Sequence, residues 1–274
     1  RAVKHLDDDR DFELNIVRFL QSPACQGERW RDWVVDGRCV SYDSLPLVEM
    51  PLMSGHLSDA ASTLSVDNVK RLLASFASAQ HGMLTRHSLV YTDLKETNMM
   101  YRTMPAGCSQ DMDWRLIDLG GFAKGDVSGV STYPIPGESA TRVPPNERVC
   151  LWNMFLLSVM FVFGGDSLRN LAHRDAFIAP IEPGDDGEFH TPVGQLEGSE
   201  AMPKWKVTAL WAYARVTAAS VVPVDYHLGH LLAQLVEELA RGGLRPGGGD
   251  NNSSGGGAMA DRLEYYVGRF DYIR

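Results

Sequence analysis

The stretch Leu89-Val90-Tyr91-Thr92-Asp93-Leu94-Lys95-Glu96-Thr97-Asn98-Met99-Met100-Tyr101 sets chemically capable side chains between two apolar, β-like segments. Asp93, Lys95 and Asn98 fall in the short loop between them. Twenty residues past Asn98, Leu116-Ile117-Asp118-Leu119-Gly120-Gly121 puts a second carboxylate at another strand end, just before glycines. A carboxylate, an ammonium, an amide and a second carboxylate form the set needed to handle Mg²⁺ and a phosphoryl group. Hard cations take oxygen ligands, here from Asn98 and Asp118. Asp93 can orient a hydroxyl nucleophile, and Lys95 can offset charge on a moving phosphoryl. Taken singly, each residue has a plainer use. Asp93 and Asn98 could cap a turn, and Asp118 could be a turn acid.

Outward from this loop the pattern is mixed. Upstream, Ala2 to Leu6 reads as a strand, and Phe12, Ile16, Phe19 and Leu20 recur at helical spacing. Trp33-Val34-Val35 and Arg38-Cys39-Val40 flank Asp36-Gly37, a hairpin turn signal. Leu45 to Met50 reads as a further strand. Val66, Val69, Leu72, Leu73, Phe76 and Leu84 share one helical face, with Ser65 as its N-cap. Downstream, helices are predicted over Val149–Phe163, Trp205–Ala219 and His227–Arg241. Pro183–Ser199 reads as a solvated loop, and Gly242–Gly257 as a flexible Gly-rich insertion. The expected plan is α+β with two lobes: a reduced, β-rich lobe over residues 1–52 and a helical lobe over 53–274.

The chain has 274 residues, a formal charge of −9, 44% hydrophobic and 22% charged residues. This is a globular composition with enough chain for a full core. The acidic balance argues against nonspecific nucleic-acid binding, which needs clustered Lys and Arg. Four cysteines are too few for a disulfide scaffold. The apolar run Cys150–Phe163 is too short to span a bilayer and reads as a core helix, so no transmembrane segment is expected. Arg1 stands first and no signal peptide is visible, so localisation is not readable from the termini. His5, His56, His81 and His87 lack zinc spacing.

The ordered set resembles the protein kinases. Their catalytic loop H-R-D-L-K-x-x-N compares with Tyr91-Thr92-Asp93-Leu94-Lys95-Glu96-Thr97-Asn98. Their D-F-G compares with Asp118-Leu119-Gly120, and their V-A-I-K strand with Arg1-Ala2-Val3-Lys4. Leu47 to Leu57 resembles the strand, hinge and G-x-L turn between kinase lobes. Pro136-Gly137-Glu138 resembles A-P-E, and Cys150-Leu151-Trp152 the D-x-W of the central helix. The resemblance implies a bilobal protein kinase-like fold and transfer of the ATP γ-phosphate to Ser/Thr hydroxyls of a protein. Adenine would lie near Met50 and Met53, and the phosphates near Lys4 and Asp118. Mg²⁺ would be held by Asn98 and Asp118, with Asp93 and Lys95 catalytic. It also implies that Glu138 lies near Arg262.

The departures are equally specific. No Gly-rich loop precedes Lys4. Either it lies outside this sequence or the protein lacks it, as do the secreted apicomplexan with-no-Gly-loop kinases, relatives of the rhoptry kinases. Val90-Tyr91-Thr92-Asp93-Leu94-Lys95 also resembles the H-T-D-I-K of that group. That kinship implies secretion into a parasite organelle or parasitophorous vacuole. Thr92 stands where the family's phosphate-receiving Arg would be. Cys150 replaces the Asp that anchors the catalytic loop. The partner of Lys4 is Glu13, the nearest acid, or the position belongs to Asn15. Tyr91 and Trp152 read as packing residues. Cys25 and Cys39 are bonded if the protein is secreted, or are free thiols. Two functions follow: an active kinase, or a pseudokinase that uses the fold to bind a partner protein.

Overall fold

The computed structural model of the chain describes residues 2–5, 10–42, 45–60, 64–105, 112–125, 146–163, 190–191, 194–195, 225–243 and 255–274. Small antiparallel sheets precede a helical C-terminal part, an α+β arrangement. The N-terminal part opens with β1 (Ala2–His5) and α1 (Arg10–Leu20), followed by β2 (Arg38–Tyr42) and β3 (Leu45–Met50). β3 lies between β1 and β2 and pairs with both antiparallel, with Lys4 opposite Val48.

Two details differ from the sequence expectation. The hairpin at Asp36-Gly37 does not form. Arg29–Trp33 is a 3₁₀ turn, and β2 pairs with β3 instead. Tertiary contacts override the local turn signal. The Val35 N–H donates to the distant Leu116 carbonyl at 2.9 Å, and Val34 bridges Leu116. Gly37 meanwhile sits hard against Leu119, where a Cβ would come within 2.9 Å of its Cδ1. The buried face of α1 is also rotated. Leu14, Ile16, Val17 and Leu20 face inward while Phe12 is 44% exposed. Glu13, not an apolar residue, fills part of the inner face.

β4 (Gly55–His56) leads into the short α2 (Leu57–Ala60) and then α3 (Val66–His87). Ser65 caps α3 as expected, its hydroxyl accepting from the Asn68 N–H at 3.3 Å. The helix ends on Ser88 in the left-handed conformation, with φ 50°. Next come β5 (Leu89–Tyr91), β6 (Met99–Thr103), β7 (Met112–Leu116) and β8 (Phe122–Lys124). They form two ladders, β4-β6-β7 and β5-β8.

α4 (Asn146–Phe163) is the centre of the helical part, packing against α3, α5 (Tyr226–Gly243) and α6 (Gly255–Ile273). It carries apolar residues all round, so no face can be left to water. Trp152, Phe155, Leu156, Leu157 and Met160 are accordingly buried. Each such side chain contributes about 1.5–3 kcal/mol over exposure. Lys70 on α3 pairs with Asp225 at the entry to α5, at 3.1 Å. The Gly-rich stretch expected over Gly242–Gly257 lies largely outside the described residues. α5 runs to Gly243 and α6 begins at Gly255, and residues 244–254 lie outside the described part. Trp205–Ala219 and Glu138 also lie outside it. Arg262, expected near Glu138, pairs with Glu238 from α5. Cys25 is buried, Cys39 exposed, and both are free thiols. No described helix is long and apolar enough to cross a membrane.

Candidate active site

Two strand registers bring the polar loops together. β6 pairs with β7 so that Met99 faces Leu116, and the Ile117 N–H donates to the Asn98 carbonyl at 3.0 Å. Asn98 therefore lies opposite the residue before Asp118. β5 pairs with β8 so that Tyr91 faces Phe122. The loop of Asp93 is thereby set against Gly121. Side-chain direction alternates with period two, so a one-residue slip in either ladder would turn these groups away.

Within the first loop the groups meet directly. Lys95 Nζ donates to Asp93 Oδ2 at 2.6 Å, and Asn98 Nδ2 donates to the same oxygen at 3.0 Å. Asn98 Nδ2 also donates to the Asp93 carbonyl at 2.9 Å, which closes the turn. The amide nitrogen is thus committed, and Oδ1 is the Asn98 atom left for a cation. All three side chains are at least half withdrawn from solvent, Asn98 most of all.

The second loop is tied to the first through Gly121. Its carbonyl accepts from the Thr92 N–H at 2.7 Å and the Thr92 hydroxyl at 3.0 Å. Its own N–H donates to the Asp118 carbonyl at 3.0 Å. The Asp118 carboxylate does not cap the short turn it precedes, so the plain turn-acid role does not account for it.

Of Glu13 and Asn15, Glu13 is the buried one. Its Oε2 and the Asp118 Oδ1 lie 3.8 and 3.5 Å from where a Gly120 Cβ would stand. Asn15 is exposed and accepts from Arg18 at 3.3 Å. The side chain of Lys4 lies outside the described residues. Met50 is partly buried against the core, and Met53 is half-buried beyond the exposed Leu52. The segment they belong to is fastened by the Ser54 N–H, which donates to the Tyr101 carbonyl of β6 at 2.8 Å.

No family model matches the chain, and no curated protein matches it.

Two residues of the site, Asn153 and Gln80, went unread in the sequence, as did the role of the Tyr91 hydroxyl. Asn153 on α4 donates through Nδ2 to the Tyr91 carbonyl at 2.6 Å and to Gln80 Oε1 at 3.0 Å. Gln80 in turn donates to the Cys150 carbonyl at 3.2 Å. The loop is therefore anchored to the central helix despite Cys150, by an amide one turn further on. A lone amide inside an all-apolar helix was the available signal. Tyr91 packs as expected, edge to face with Phe122 at 4.8 Å, but its hydroxyl does more. It is buried among Asp118, Asp93, Asn98 and Glu13. Burial first, then the Asp118, Asp93 and Glu13 charges, push the phenol well above its usual range, against a smaller pull from the Asn98 amide.

The donor set fits Mg²⁺. Among the described residues no group of three or more His, Cys, Asp or Glu could hold a metal alone. Mg²⁺ does not require one: it is commonly held by one or two protein oxygens together with phosphate oxygens and water. Asn98 Oδ1 and the Asp118 carboxylate are side-chain oxygens of that kind in the two loops.

Proposed function

We propose that the chain is a divergent Ser/Thr protein kinase of bilobal, protein kinase-like fold. ATP would lie between the sheet of β1 to β3 and the loop pair, its adenine near Met50 and Met53. The observation that carries this reading is the convergence of Lys95 and Asn98 on one oxygen of Asp93, beside a loop that presents Asp118. Asn98 and Asp118 would hold Mg²⁺, which when bound supplies positive charge to the phosphates.

Asp93 accepts the acceptor hydroxyl's proton as its oxygen bonds to the γ-phosphorus. The bond from that phosphorus to the β,γ-bridging oxygen breaks, and ADP leaves with the electron pair. Lys95, already at 2.6 Å from Asp93, offsets charge on the transferring group. The inward Glu13 supports its assignment as the partner of Lys4. The narrower kinship with secreted kinases lacking the Gly loop rests on the form of Val90 to Lys95 alone.

The test uses the full chain. Mg-ATP should raise its melting temperature, since a ligand at a hundredfold excess over Kd stabilises by about 2.7 kcal/mol. Radiolabel from the ATP γ-phosphate should reach the chain itself or an added acceptor protein. Asp118→Asn should abolish both the shift and the transfer, and Asp93→Asn only the transfer. Absence of both signals from the unmutated chain would overturn the reading and leave a pseudokinase that binds a partner protein.

A further inference from the structure

The Tyr91 hydroxyl is fully buried and makes no hydrogen bond of ordinary geometry, although the Asn98 amide lies near enough to act on it. Buried hydroxyls are nearly always bonded, so an orphan in a polar cluster calls for a reason. Its position is closely defined. The ring lies on Gly121, where a Cβ would stand 2.8 Å from Cε2 and 3.0 Å from the hydroxyl-bearing Cζ. The same point is 3.2 Å from the Asp93 Cβ. Gly121 is joined to Asp118 by the hydrogen bond that closes their turn. The hydroxyl therefore stands between the two carboxylate loops, and Asp118 is the charge that acts on it most strongly.

A phenol of ordinary pKa near 10 is a donor at neutral pH. Being buried, the hydroxyl cannot meet a nucleotide directly. We propose that Tyr91 is a positioning residue for the cation site: its hydroxyl donates to one oxygen of Asp118 when the other turns to a divalent cation. This rests on the kinase reading, since that reading places the cation at Asp118. Carboxylates that ligate metals are themselves held by hydrogen bonds from outside the ligand shell, and losing such a partner weakens metal affinity about 10–100-fold. The arrangement leaves a polar group unsatisfied at rest and satisfies it on binding.

The experiment is a thermal-shift titration of Mg²⁺ at fixed ATP, on the full chain and on Tyr91→Phe. Phe keeps the ring against Gly121 and Phe122. The ligand-free melting temperature should stay equal or rise, because an unbonded buried hydroxyl has been removed. The half-saturating Mg²⁺ concentration should rise about tenfold or more. A fall of several degrees in the ligand-free melting temperature would show that the hydroxyl is bonded at rest and overturn the proposal. An unchanged Mg²⁺ midpoint, with a normal shift in the unmutated chain, would overturn it while leaving the kinase reading intact. No shift in the unmutated chain would overturn both.

Discussion

Thr92 grips the carbonyl of Gly121 with two donors, its main-chain N–H at 2.7 Å and its hydroxyl at 3.0 Å. The family resemblance implies an Arg at this position to receive an activation-segment phosphate. Here the side chain is turned inward and spent on joining the two loops. The join has a steric counterpart on the other side of the same glycine, where the Tyr91 ring leaves no room for a Cβ.

Gly121→Ala should therefore destabilise the fold by about 1–3 kcal/mol, the usual range for overpacking. Its new Cβ would meet ring atoms at 2.8 and 3.0 Å, and a ring held against Phe122 has little freedom to move. Gly120→Ala should cost less, since its Cβ would meet nothing nearer than Asp118 Oδ1 at 3.5 Å. Denaturant midpoints for the two variants, at unchanged m-value, check the order.

Asn153→Leu should cost about 1–3 kcal/mol for each acceptor it orphans, the Tyr91 carbonyl and Gln80 Oε1. Adding Gln80→Leu should cost less in this background than in the unmutated chain. A double-mutant cycle reads the coupling, and a value below about 0.5 kcal/mol would mean the two amides act independently.

Acid should weaken the tie between α3 and α5. Partial burial opposes ionisation of Asp225. The Leu228 N–H at 2.8 Å and the Lys70 ammonium at 3.1 Å outweigh it and hold the carboxyl below its usual range. The folded-state value is thus lower than the unfolded one of about 3.9. The stabilisation is complete above that unfolded value and is lost as pH falls through the folded one. Asp225→Asn should lower stability by about 1 kcal/mol at neutral pH and flatten the acid limb of a melting-temperature profile. A profile parallel to the unmutated one would refute the assignment.

Thiol labelling should separate Cys39 from Cys150. The thiolate is the nucleophile, and Cys39 is exposed. Burial, aided by Glu147, pushes the Cys150 thiol far up. Iodoacetamide under native conditions, followed by peptide mass mapping, should modify Cys39 and spare Cys150 and the buried Cys25. Labelling of Cys150 at the rate of Cys39 would contradict this.

The loops of Asp93 and Asp118 were legible because short apolar runs bracket polar residues, and a strand end is where such residues can converge. The central helix was legible because its apolar character is continuous. What escaped depended on partners distant in sequence. Asp36-Gly37 is a sound local turn signal, but nothing near it in the sequence shows that Val35 is bonded to Leu116. Asn153 was visible as an interruption; that it reaches Tyr91, 62 residues away, was not. Phe12 fitted the helical spacing of α1 as well as its true inner residues did. The spacing alone could not favour the inward turn of Glu13 over a charged residue's usual exposure.

The link between Val34 and Leu116 also bears on whether the chain can be severed. Arg115 sends Nη1 to the carbonyls of Arg31 and Val34, at 3.2 and 3.3 Å, beside the Val35 bond to Leu116. The strand that delivers Asp118 is thus braced by residues from the first 35. A fragment beginning at Met53 would keep every residue of the two loops yet lose this brace. The carbonyl of Leu116 would be left without its donor and the Arg115 guanidinium without two of its acceptors. Cutting before Met53 would not release an autonomous half, and the two pieces would have to be mixed to reconstitute the loop pair.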